Sequence, residues 1–97
     1  MKPKKSRKIP EVTITEPVTD LVDEGEYIRV LVELPGVSEE KIRIDLERSV
    51  LTISASDDGL TFKKDLAIPG TVRLGEKYFQ NGVLEIHLKK KRSATFF

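Results

Sequence analysis

The chain has 97 residues, 38% of them apolar, which is enough to fill one compact core and not two. It contains no cysteine, which removes disulfide staples and thiolate metal sites, and no apolar run near the roughly 20 residues that span a bilayer. The net charge of +1 hides an uneven distribution: all sixteen acidic residues lie within 9–88 with only eight of the seventeen basic ones, so the body carries −8 and the two ends +9.

Residues 1–10 read as a basic flexible arm in which Lys2, Lys4, Lys5, Arg7 and Lys8 are not followed by the apolar stretch of a secretory signal. A cytoplasmic location and no membrane partner are the expectation. The arm and the run Lys89-Lys90-Lys91-Arg92 suit either phosphate-binding arms or solvated tails that keep an acidic body dispersed. No aromatic side chain interleaves with either cluster, so a base-stacking platform is missing and nucleic acid is not the expected partner.

From there to residue 90 the pattern is that of strands. Short strands are predicted over 11–15 and 18–23. Tyr27 to Leu34, apolar on both faces apart from Arg29 and Glu33, suits a central strand over 26–34. Pro35-Gly36 ends it, and Ser38-Glu39-Glu40 offers one capped helical turn. Ile42, Ile44 and Leu46 alternate with charged residues over 41–47, and Leu51, Ile53 and Ala55 alternate with Thr52 and Ser54 over 50–56. Asp58-Gly59 closes a tight hairpin into 60–68, where Phe62, Leu66 and Ile68 share a face with Lys64. Pro69-Gly70 precedes a strand over 72–79, and Asn81-Gly82 turns it into the last, over 83–89. Nowhere do apolar residues recur at three and four as an amphipathic helix requires. The pattern predicts an all-β, antiparallel two-sheet sandwich over 11–90 with a short tail, 91–97. Its predicted core is Val30, Val32, Leu34, Ile44, Leu46, Leu51, Ile53, Phe62, Leu66, Val83, Leu84 and Ile86.

Catalysis finds no support in these residues. His87 is the single histidine, set between core positions of a strand, and a lone His without Cys makes neither a triad nor a metal site. Asp57-Asp58 before Gly59 is ordinary turn chemistry, and no glycine-rich phosphate cradle occurs. No catalytic residue, metal or cofactor is expected.

Four motifs then resemble the α-crystallin domain of small heat shock proteins. Glu33-Leu34-Pro35-Gly36-Val37 with Lys41-Ile42 is similar to that family's "DLPGV-x-x-x-DI" segment. Val50-Leu51-Thr52-Ile53-Ser54-Ala55 resembles its "xLTISG" strand, and Phe62-Lys63-Lys64-Asp65-Leu66-Ala67-Ile68-Pro69 its "F-x-R-x-F-x-LP" stretch. Asn81-Gly82-Val83-Leu84-Glu85-Ile86 matches its "NGVLxI" signature. The four keep the family's order over roughly residues 17 to 90. The resemblance implies an immunoglobulin-like sandwich that acts in the stress response as an ATP-independent chaperone, binding partially unfolded proteins. It also implies a groove between the strand of Ile42, Ile44 and Leu46 and the strand from Leu74 to Phe79.

The chain also departs from the family. Only Ser56–Thr61 separates the second and third motifs, where many members carry a long loop whose extra strand swaps onto the partner subunit. No I-x-I/V anchor follows Leu88, the arm ahead of the domain is basic where the family's is long and apolar, and Lys77 stands where the family often has alanine. This minimal form is similar as well to the CS-domain co-chaperones. Val12 and Ile14 reproduce the spacing of the family's anchor; they either pack in the domain's own first strand or dock in trans by strand addition. A monomer or weak homodimer follows as the expected state. The competing reading is a structural or adaptor domain of a larger assembly, without holdase activity.

Overall fold

The computed structural model describes residues 14–91. Within them lie eight strands: β1 (Ile14–Thr15), β2 (Thr19–Asp23), β3 (Tyr27–Glu33), β4 (Ile42–Glu47), β5 (Val50–Asp57), β6 (Leu60–Ala67), β7 (Val72–Gln80) and β8 (Val83–Lys90). From β2 onward every boundary falls within one residue of its predicted place; the predicted positions 11–13 lie outside the described residues. The strands form two four-stranded sheets, ordered β1-β6-β5-β4 and β2-β3-β8-β7. All neighbours pair antiparallel except β1, whose Ile14 and Thr15 lie parallel to Thr61 and Phe62 of β6.

Each sheet turns one face inward, as the period of two requires. The first contributes Ile42, Leu51, Ile53, Ala55 and Phe62, the second Ile28, Val30, Val32, Leu84, Ile86 and Leu88. Of the predicted core, Val30, Val32, Leu34, Leu51, Ile53, Phe62, Leu84 and Ile86 are buried, while Ile44, Leu46 and Leu66 are half-buried against them. Val83 is a correction: it is 37% exposed, because Leu84, Ile86 and Leu88 hold the inner face of β8 and alternation sends Val83 outward. Ile28, Val37, Val72 and Leu88, missing from the predicted core, are buried.

The turns follow their chemistry with one exception. Asp58-Gly59 and Asn81-Gly82 take positive φ at both residues, as a two-residue hairpin matching the sheet's twist demands. The β4–β5 hairpin does the same with Arg48 (φ 53°) and Ser49 (φ 64°), residues with no preference for that region. It holds because the Ser49 hydroxyl donates to the Gly70 carbonyl at 2.8 Å and the Ile68 N–H donates to the Ser49 carbonyl at 2.8 Å. Strain of this kind costs roughly 1–2 kcal/mol per residue. Arg48→Asn is therefore expected to raise stability by about 0.5–1 kcal/mol in urea unfolding, since Asn enters the left-handed region readily. No gain would mean the hairpin is already relaxed.

The predicted helical turn is the 3-10 turn Glu39–Lys41, but the Ser38 side chain does not cap it. The Ser38 N–H donates instead to Asp57 Oδ2 at 3.0 Å, fastening the loop before β4 to the end of β5. Across the second sheet the Lys90 ammonium lies 2.8 Å from Asp23 Oδ1 and, with the Gly25 N–H, holds the Asp23 carboxyl below its ordinary range. That contribution is present at neutral pH and is lost as acid protonates the carboxylate.

Candidate functional site: the groove between the sheet edges

β4 closes one end of the first sheet and β7 one end of the second. Both carry alternating apolar residues toward the core, but an edge strand has no neighbour to cover its flank. Along β4 burial therefore falls from Ile42, which is buried, to the half-buried Ile44 and Leu46. Two adjoining depressions mark the seam. One, of about 240 Å³, is lined by Ile44, Leu74, Gly75, Lys77 and Ile86. The other, of about 580 Å³, runs from Leu46 and Leu74 past Val72 to Arg48, Arg73 and Lys91. Leu74 is common to both and is 45% exposed, an apolar side chain left at the centre of an open groove.

A bulge in β7 shapes the wall. Leu74 pairs with Leu88 and Lys77 with Ile86, so Gly75 and Glu76 together oppose the single residue His87. The extra residue reverses the alternation. Without it Val72, Leu74, Glu76 and Tyr78 would share a face; with it Lys77 and Phe79 follow Val72 and Leu74, lying opposite the inward Ile86 and Leu84, and Tyr78 turns outward. The bulge needs glycine for space, because a Cβ at Gly75 would stand 2.9 Å from the His87 carbonyl oxygen.

The structure thus brings Ile44, Leu46 and Leu74 of the predicted groove residues together. Ile42 is buried in the core and lines neither depression; Phe79 is half-buried against the core and lines neither. Of the proposed docking segment, Ile14 lies in β1 at 61% exposure, and Val12 falls outside the described residues. Lys77, Arg48, Arg73 and Lys91 were not singled out as groove residues from the sequence, since neither the bulge nor the Arg48-Ser49 turn leaves a pattern there.

His87 lies on the opposite face of the second sheet, away from the groove. Its Nε2 is 2.7 Å from Glu85 Oε2 and its Nδ1 3.7 Å from Glu76 Oε1. The Tyr27 ring lies 4.6 Å from the imidazole, and the Tyr78 ring meets it edge-on at 5.4 Å. The cluster ties β3, β7 and β8 together. Among the described residues no three His, Cys, Asp or Glu side chains form a metal-binding group, and no helix is long and apolar enough to cross a membrane.

No protein-family model matches the chain. It is 30% identical to a Leptospira interrogans protein named "Probable 15 kDa heat shock protein", across 87% of this chain and 77% of that one. It is 27% identical to "Small heat shock protein C4" of Rickettsia felis across 84% of this chain, spanning 61% of that relative's length. Among solved structures, heat shock protein 16.0 of Schizosaccharomyces pombe superposes with a TM-score of 0.73 at 25% identity, over 91% of this chain and 74% of that one.

Proposed function

The chain belongs to the small heat shock protein family, and we propose that it works as an ATP-independent chaperone or co-chaperone module in the cytoplasm. It binds partially unfolded proteins or a partner protein in the groove between β4 and β7, and it catalyses no reaction. The observation that carries this reading is the apolar floor of Ile44, Leu46 and Leu74, open to solvent between two sheet edges. Apolar side chains of an extended client, two residues apart, meet that floor while the free backbone of an edge strand supplies hydrogen bonds.

Leu74→Ser tests it. Leu74 is already 45% exposed, so the fold is expected to keep its urea midpoint within experimental error. Suppression of the aggregation of chemically reduced insulin is expected to need about fivefold more protein, since roughly 1 kcal/mol of contact is lost. Unchanged suppression would favour the adaptor reading, in which the sandwich docks to an assembly and holds no client.

For assembly, the supporting feature is the two-residue Asp58-Gly59 connection between β5 and β6, which leaves no room for a strand that swaps between subunits. The chain is expected to sediment as a monomer or weak dimer at micromolar concentration, and a stable particle of twelve or more subunits would overturn that. A dimer would use the outer edge of β2, or Val12 and Ile14 docking in trans. A variant lacking residues 1–15 separates the two, because only the first dimer survives the deletion.

A further inference from the structure

We propose that this groove selects extended apolar segments flanked by carboxylates, so that its partners are acidic stretches of other proteins; the inference rests on the groove being a binding site. The apolar floor is ringed by cations. Lys77 stands at one end, placed on the inward side of β7 by the bulge, opposite Ile86 and beside Ile44. Arg48, Arg73 and Lys91 stand at the other, around Leu46 and Leu74. Among the described residues no acidic one lines either depression, and none of the four cations makes an ion pair or side-chain hydrogen bond.

This charge runs against that of the rest of the body. Residues 9–88 hold sixteen acidic and eight basic side chains, yet three of those eight basic residues line the groove. The body as a whole is acidic, but in the groove a carboxylate meets four cations that pair with no other described residue, with an apolar wall beneath them. Lys41, Arg43 and Lys63 line a separate depression beside Ile14 and Phe62 on the first sheet. The spacing suits a short strand. Residues two apart in an extended segment are separated by roughly 7 Å, and four or five residues cover roughly 13–17 Å. Two apolar side chains over the floor therefore leave the flanking positions near Lys77 on one side and near Arg48, Arg73 and Lys91 on the other. The floor supplies affinity, and the rim decides which apolar segments receive it.

The test uses the 97-residue chain and three synthetic nonapeptides that share a central pair of isoleucines two residues apart and carry glutamate, glutamine or lysine at the flanks. Fluorescence anisotropy at low salt is expected to rank them glutamate, glutamine, lysine, with the first bound about tenfold more tightly than the last. The gap is expected to close near 1 M salt, where the Debye length is about 3 Å. Charge reversal at two exposed positions, Arg73→Glu with Lys77→Glu, leaves Arg48 and Lys91 against two carboxylates and is expected to erase the ranking without moving the thermal midpoint by more than a few degrees. Equal affinity for all three peptides would overturn charge selection and leave the groove as a binding site. Failure of all three to bind would overturn the groove itself. An unaltered ranking in the double variant would place the selecting charges elsewhere.

Discussion

Ile53→Ala is expected to lower the unfolding free energy by about 2–5 kcal/mol, the largest loss from any single truncation considered for this chain. Ile53 sits in the middle of β5, opposite Ile44 on one side and Lys64 on the other, and is fully buried. Truncating it removes transfer energy and leaves a cavity that strands paired on both sides cannot collapse into. A domain of this size holds roughly 5–15 kcal/mol in total, so the variant spends a large share of its margin. Ile44→Ala, at the half-buried edge of the same sheet, is expected to cost well under half as much, because solvent and side-chain movement fill the gap. Urea unfolding of the two variants side by side checks both. A loss below roughly 0.5 kcal/mol at Ile53 would break the register of the first sheet, since a one-residue slip exchanges its faces.

Gly75→Ala is the second large effect, and it reaches both stability and the groove. The new methyl would meet the His87 carbonyl oxygen at 2.9 Å, a backbone atom in the paired strand β8 that cannot swing aside as a side-chain tip does. About 1–3 kcal/mol of destabilisation is expected, the usual cost of overpacking. The cheapest relief is to shift or iron out the bulge, which would carry Lys77 out of the groove and turn Tyr78 inward from its contact with His87. Gly75→Ala is therefore expected to weaken binding of the glutamate-flanked peptide more than the stability loss alone explains. Amide exchange along β7 would register the altered pairing. An unchanged thermal midpoint together with unchanged peptide binding would show that the bulge accommodates a side chain, and that its glycine has another cause.

Local chemistry made most of the strands legible. Alternation in Ile42–Leu46, Leu51–Ala55 and Leu84–Leu88, with Asp58-Gly59 and Asn81-Gly82 between strands, depends only on neighbouring residues, and those elements appear where the pattern puts them. The Arg48-Ser49 hairpin was invisible for the converse reason. Its left-handed backbone is imposed by bonds to Gly70 and Ile68, about twenty residues away in sequence, and neither residue type announces it. Hydrophobicity alone puts Val83 in the core, against the alternation of its own strand, and the alternation prevails because Leu84 and Ile86 already fill the inner face.

The groove divides along the same line. The sequence by itself determined that β4 carries an apolar face and that β7 and β8 form a hairpin. Only the tertiary structure decided that β4 and β7 both end their sheets and meet along one seam, that β1 adds to β6 in parallel, and that Lys77 faces the groove while Tyr78 faces away. Alternation is a property of one strand and survives any arrangement of strands. Which strand becomes an edge, and where a bulge reverses the faces, depends on contacts between distant segments. At Gly75 that contact is with the His87 carbonyl, twelve residues further along the chain.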